Sequence, residues 1–234
     1  MSTSWQIFGS GWATKSDLID KKKEAARAEQ KELAKQVLKQ DIPPLDDDGL
    51  VTGVDVSYVD DTAVGAAVTM DSSDRTVIKK RTLIIPCEFP YVPGYFHLRE
   101  GPALISLLNE CEDTGPVLVD ANGVLHPRRC GLASYVGLKS NKQTIGVAKS
   151  LLLGDLSPRR DDISFIKDDD ETVGAAVWLG TRKPVYVSIG HRITLETAVK
   201  IVTTIGQSGK PEPIVQADRE SRRVADRLKG AVKE

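Results

Sequence analysis

The chain has 234 residues, with 32 Lys and Arg against 33 Asp and Glu, a formal net charge of −1 and 40% hydrophobic residues. Such a chain can bury a core as one large or two small domains, which excludes a disordered or low-complexity protein; the balanced charge excludes a uniformly cationic surface, so any basic patch is local. Three widely spaced cysteines without a CxxC pair exclude a disulfide framework and predict a reducing, cytoplasmic setting, and neither a signal-peptide core nor a membrane-length apolar run is found.

Residues 1–16 contain Trp5 and Trp12 without regular periodicity and are expected to form an extended arm, with residues 17–234 as a single domain. From 17 to 39 the composition turns to Ala, Lys, Glu, Gln and Leu, with Leu33 and Val37 at helical spacing, so a charged amphipathic helix is predicted. Pro43-Pro44 and the Asp46-Asp47-Asp48-Gly49 run end it. The three aspartates lack the ligand spacing of a calcium loop and read as a solvated turn.

Three strand-like runs, 50–59, 63–70 and 76–85, separated by short polar turns, predict an antiparallel meander. A helix is expected to begin around Pro102 in its first turn, with Leu104, Leu107, Leu108 and Cys111 on one face. Further strands are predicted at 116–120, 144–148, 171–179 and 184–190, with the acidic run at 161–171 as a solvated loop. A helix follows at 194–205, Pro211-Glu212-Pro213 breaks it, and a basic helix runs from 218 to 229. The order implies an α/β domain, a mixed sheet flanked by helices.

Three acids stand at places where charge is expensive or exposed to ligands. Asp55 interrupts the apolar run VTGVDVSYV, Asp120 ends PVLVD, and Glu100 closes the loop FPYVPGYFHLRE. Together they would suit magnesium, which takes a few carboxylates plus water and phosphate oxygens. Separately, Asp55 could be a hydrogen-bonded buried acid and the other two helix caps; spacing alone leaves open whether they meet. Between 121 and 160, seven Lys and Arg face the single acid Asp155, a local charge of +6, with Gly123, Gly131, Gly137 and Gly146 among them. Basic residues and glycines beside a magnesium-type acid set point to a phosphodiester substrate.

With Asp55, FPYVPGYFHLREGPAL, VLVDANGVLHPRR and TIGVAKS in view, the chain resembles the endonuclease V family from about residue 25 to 229. The resemblance implies a ribonuclease-H-like fold and a magnesium-dependent endonuclease, with manganese as a substitute. It also implies a DNA substrate containing deoxyinosine, the deaminated form of deoxyadenosine, cut at the second phosphodiester 3′ to the lesion in DNA repair. Position by position, Asp55, Glu100 and Asp120 match the family's acidic metal set, and Asp218 stands where some members have His and others Asp. Lys149 matches a lysine that approaches the scissile phosphate. Pro90, Tyr91, Val92 and Pro93 match a wedge whose aromatic contacts DNA at the lesion. Gly94, Gly123, His126 and Gly146 match the pocket for a flipped base, and Arg128 and Arg129 are expected to contact phosphates. A tyrosine held between two prolines can fill the gap left by an extruded base at little entropic cost. His97 is expected at the surface, and His191 has no assigned chemistry.

Where many members read VDGxG, this chain has Asp120-Ala121-Asn122-Gly123, so a methyl stands beside a proposed metal ligand. If Ala121 needed a positive φ the turn would be strained. Inosine-containing RNA is the nearer alternative substrate, and a module that binds inosine without cutting is the alternative of another class. No membrane partner is expected, and nothing in the sequence requires a second subunit, so a monomer is expected.

Overall fold

The computed structural model describes residues 15–45, 49–87 and 89–231; residues 1–14 of the arm predicted over 1–16, and the three aspartates at 46–48, lie outside the described residues. In chain order the elements are α1 (Lys15–Ala34), β1 (Leu50–Val59), β2 (Thr62–Asp71), β3 (Val77–Pro86), α2 (Phe96–Asn109), β4 (Val117–Val119), α3 (Leu132–Ser140), β5 (Thr144–Ala148), β6 (Asp155–Leu156), β7 (Ile163–Asp168), β8 (Glu171–Val177), β9 (Val185–His191), α4 (Leu195–Ile205), β10 (Gly206–Gln207), β11 (Lys210–Pro211) and α5 (Glu212–Ala231). Nine strands form one mixed sheet in the order β3-β2-β1-β4-β5-β9-β8-β7-β6. The expected meander is its first edge: β1 pairs antiparallel with β2, and β2 with β3. The parallel part is the centre, β1 with β4 and β4 with β5.

Strand alternation divides the core between the two faces. Val51, Leu118, Ile145 and Val147 pack with Val199 and Val202 of α4 and Ile214 of α5. Val54, Val117 and Val119 turn the other way, onto Leu104 and Leu108 of α2 and Leu132 and Val136 of α3. Ala26, Gln30 and Leu33, at helical spacing, form the buried stripe of α1.

Several boundaries differ from those expected, each for a physical reason. α2 starts at Phe96, so Pro102 sits inside it and Glu100 is a helical residue rather than an N-terminal cap; Pro102 forfeits only the bond its missing N–H would make to the Leu98 carbonyl. α5 starts at Glu212, with Pro213 in its first turn, where a proline costs no hydrogen bond. The acidic run is not a loop: β7 lies within it, with Ile166 fully buried and Phe165 exposed on alternate faces. α1 ends at Ala34, five residues earlier than expected. α3 has no counterpart among the expected elements; five of its nine residues are buried, including Leu132, Ala133, Ser134 and Val136, so it carries little amphipathic contrast.

Gly53 in β1 sets the distance between the sheet and α5: a Cβ there would stand 2.1 Å from the Pro213 carbonyl carbon. Replacing Gly53 with Ala must push α5 away from β1. The expected cost is about 1–3 kcal/mol, read as a lower urea midpoint with an unchanged m-value; an unaltered midpoint would show that α5 is free to shift.

Candidate active site

The parallel register aligns Val54 of β1 with Val119 of β4. One residue further along each strand come Asp55 and Asp120, side by side at the ends of the paired segment. Glu100 reaches the same place from α2, and Lys149 follows the end of β5. All four line one cleft of about 170 Å³, floored by Val54, Val119 and Leu104.

Each side chain has a distinct environment. Asp55 Oδ2 accepts a hydrogen bond from Ser221 Oγ at 2.7 Å, and Ser221 Oγ also lies 2.8 Å from Ser57 Oγ. Burial raises the Asp55 carboxyl above its ordinary value; the Ser221 bond opposes this, and the charges of Asp218 and Asp120 add to it. Burial also pushes Glu100 up to about 8, with the negative charge of Asp55 adding to the rise. Tyr58 Oη donates to Glu100 Oε1 at 3.3 Å, and the Arg99 guanidinium lies 4.0 Å over the Tyr58 ring. Lys149 Nζ is 2.6 Å from Asp120 Oδ2. Burial works to lower the Lys149 ammonium, but this bond and the charge of Asp120 hold it above its ordinary value. Asp218 on α5 acts on Asp55 through its charge and is itself paired with Arg222 at 2.8 Å.

Among the described residues no group of three His, Cys, Asp or Glu side chains already stands in metal-binding geometry. The donor chemistry nevertheless fits a hard divalent cation: three carboxylates share one cleft, two are raised by burial and mutual repulsion, and one ammonium offsets them. A cation held by oxygen ligands relieves that repulsion.

Beside this cleft, and sharing Asp120, Lys149 and Phe96 with it, is a pocket of about 440 Å³ whose wall includes Tyr91, Gly94, His97 and His126. Tyr91 is 62% exposed, the most exposed large apolar side chain described, and meets Phe96 edge-on at 5.2 Å. Ala121 also lines this pocket without taking a positive φ, so its methyl narrows the wall and strains nothing. His97 Nε2 and Asn122 Oδ1 are buried at this wall with no hydrogen-bond partner among the described residues.

Two expectations need correction, and two expected phosphate contacts are held by other groups. His97 is 1% exposed, its ring tilted against Tyr135 with centroids 4.8 Å apart, and is not a surface residue. Gly123 and Gly146 do not line the pocket but lie behind it: the Gly123 N–H is spent on Ser188 Oγ at 2.9 Å, and a Cβ at Gly146 would stand 2.4 Å from the Gly123 nitrogen. Arg128 and Arg129, expected at phosphates, are both engaged within the protein. Arg128 donates to Gln30 Oε1 at 2.7 Å and to the Gly94 carbonyl at 2.5 Å; Arg129 pairs with Asp168 at 2.6 Å and Glu171 at 2.8 Å. Sequence reasoning missed Tyr58, Arg99, Ser221 and Gln30. Only Gln30 left a trace there, as a polar residue in an apolar helical stripe.

A ribonuclease-H-like sheet with acids gathered where its parallel strands end defines the class, a nuclease. The chain belongs to the endonuclease V family, whose model matches residues 31–219. An endonuclease V from Archaeoglobus fulgidus is 34% identical over 208 residues, covering 88% of this chain and 94% of that protein. One from Methanopyrus kandleri is 40% identical over 194 residues, covering 81% and 84%. Among solved structures, endonuclease V from Streptomyces avermitilis superposes with a TM-score of 0.79 at 36% identity, covering 89% of this chain and 94% of that one. Endonuclease V from Ciona intestinalis, in complex with a 24mer DNA containing an inosine followed by a ribo-adenosine, gives 0.78 at 29% identity, covering 89% and 99%.

Burial holds both His97 and His126 down at about 4. Their unfolded values lie near 6.5, so the unfolded chain takes up protons first. The stability they contribute is complete above about pH 6.5 and is lost as pH falls toward 4. The urea midpoint should therefore fall between pH 7 and 4.5, and the fall should be smaller in His126→Gln; an equal fall in the variant would remove His126 from the account.

Proposed function

We propose that the protein is a magnesium-dependent endonuclease that recognises deoxyinosine in DNA and hydrolyses the second phosphodiester 3′ to it, leaving 3′-hydroxyl and 5′-phosphate ends, as a step of DNA repair. The observation that carries the reading is the shared wall between the acid cleft and the pocket beneath Tyr91, which would give base recognition and phosphodiester hydrolysis adjoining space. Manganese is expected to substitute for magnesium.

Asp55, Glu100 and Asp120 would hold the cation, with Asp218, whose charge acts on Asp55, as a fourth acid. Bound magnesium supplies Lewis-acid activation of water and offsets charge on the leaving oxygen. Tyr58 fixes the Glu100 carboxylate and Ser221 that of Asp55, so both are oriented before substrate arrives. Lys149, with a side chain 61% exposed, is placed to offset negative charge developing on the attacked phosphate. Tyr91 would stack in the space vacated by the extruded base; such stacking contributes about 1–3 kcal/mol, against the few kcal/mol that unstacking costs. A wobble-paired hypoxanthine leaves the stack more cheaply than a normal base.

The ribo-adenosine in the Ciona intestinalis complex supports a second reading, in which a ribonucleotide follows the inosine at the cleaved position.

End-labelled duplexes with one deoxyinosine, with and without a ribonucleotide on its 3′ side, and an inosine RNA strand decide between these. Cutting is expected in magnesium, not in EDTA and not by Asp120→Asn, whereas a non-cutting binder would keep its affinity in that variant without ever nicking. Lys149→Ala should cut about 100- to 1,000-fold more slowly with KM little changed; a change confined to KM would make Lys149 a binding residue only.

A further inference from the structure

Gln30 interrupts the apolar stripe of α1 between Ala26 and Leu33 and is 1% exposed. A buried amide is tolerated only when both of its ends are hydrogen-bonded. Here Nε2 donates to the Cys130 carbonyl at 2.6 Å and Oε1 accepts from Arg128 Nε at 2.7 Å. Only this orientation of the amide satisfies a carbonyl on one side and a guanidinium on the other, so Gln30 fixes the plane of the Arg128 fork. The far end of that fork, Nη2, donates to the Gly94 carbonyl, and the guanidinium lies 4.7 Å over the Tyr95 ring.

Gly94 directly follows the Pro90–Pro93 segment that carries Tyr91. Its φ is +78°, and a Cβ there would stand 3.2 Å from Arg128 Nη2, so the loop backbone rests directly on the arginine. The Arg128 N–H also donates to His126 Nδ1 at 3.2 Å, tying the same turn to the pocket wall. A continuous chain of bonds thus runs from Gln30 through Arg128 to the base of the exposed tyrosine. Gln30 lies one position before the segment matched by the family model.

We propose that Gln30 is a positioning residue for lesion detection, orienting Arg128 so that the Tyr91 loop stands at a set place over the pocket. The proposal rests on the endonuclease reading of that pocket. A stacking side chain opens a duplex efficiently only when its place is fixed beforehand, since ordering it at the moment of contact costs entropy.

The full chain is compared with Gln30→Ala, Gln30→Glu, Arg128→Ala and the double variant Gln30→Ala/Arg128→Ala. The substrates carry hypoxanthine either paired with thymine or in an unpaired bubble, with 2-aminopurine beside the lesion reporting unstacking on binding in EDTA. On the paired duplex, Gln30→Ala should lower kcat/KM roughly 10- to 100-fold. On the bubble, where no stack has to be opened, the loss should be at least about fivefold smaller, and the 2-aminopurine signal of the paired duplex should disappear. Because Gln30 acts through Arg128, the double variant should be within about twofold of Arg128→Ala. Gln30→Glu keeps the acceptor for Arg128 and should recover part of the signal. Equal losses on both substrates, additive losses in the double variant, or a retained 2-aminopurine signal would overturn the proposal. If the unsubstituted protein unstacks the lesion without cutting, the endonuclease reading fails while the fluorescence comparison still decides Gln30; if it does neither, both readings fall.

Discussion

Two parallel strand pairings hold the candidate site together. With Val54 beside Val119 and Val119 beside Gly146, the chain must deliver Asp55, Asp120 and, a little further, Lys149 to the same end of the sheet centre. No other arrangement of those strands keeps Val54, Val117 and Val119 on the α2 side while Val51 and Leu118 face α4 and α5, because a slip of one residue would turn every side chain to the opposite face. The acids are therefore brought together by the packing of apolar neighbours, and their mutual repulsion is carried by the fold. It is visible in the raised carboxyls of Asp55 and Glu100. A site strained in this way takes up a cation readily, because ligand binding and relief of repulsion act in the same direction.

The helices then hold the acids in place from both faces. α5 comes close enough to β1 to need Gly53 and presents Ser221 to Asp55; α2 presents Glu100 and, through Arg99, ties the Phe89 carbonyl at 2.8 Å. The loop carrying Tyr91 is thus anchored at one end by α2 and at the other by Arg128. The acid cleft and the Tyr91 loop thus share α2 as a common support, so the stretch from Pro90 to Glu100 links the two.

Much of this was legible in the sequence where one physical rule acts alone. The meander showed in alternation and turn residues, and Asp55 and Asp120 showed as charges that an apolar strand tolerates only for a reason. Legibility failed where tertiary contacts decide. α3 is buried on most of its surface and so lacks the contrast of an amphipathic helix, and β7 hides inside an acidic run because only Ser164 and Ile166 of its residues need burial. His97 follows aromatic residues in a loop-like segment, yet the early start of α2 turns it inward against Tyr135.

The basic stretch from 121 to 160 shows most clearly how charge counted along a chain differs from charge in space. Its +6 drew attention to phosphate binding, but six of its seven cations are engaged by groups from elsewhere. Arg129 meets Asp168 and Glu171, Lys139 meets Glu29, Lys149 meets Asp120, and Arg159 meets Asp162. Arg128 and Lys142 bond to Gly94 and Cys111 carbonyls. All five of those acids lie outside the basic stretch and offset its charge on folding. The count along the chain therefore overstates the unpaired charge, since of these six cations only Arg128 and Lys142 meet carbonyls rather than carboxylates. The pairing depends on the two adjacent arginines turning inward, Arg128 toward Gln30 and Arg129 toward Asp168 and Glu171 of the acidic hairpin.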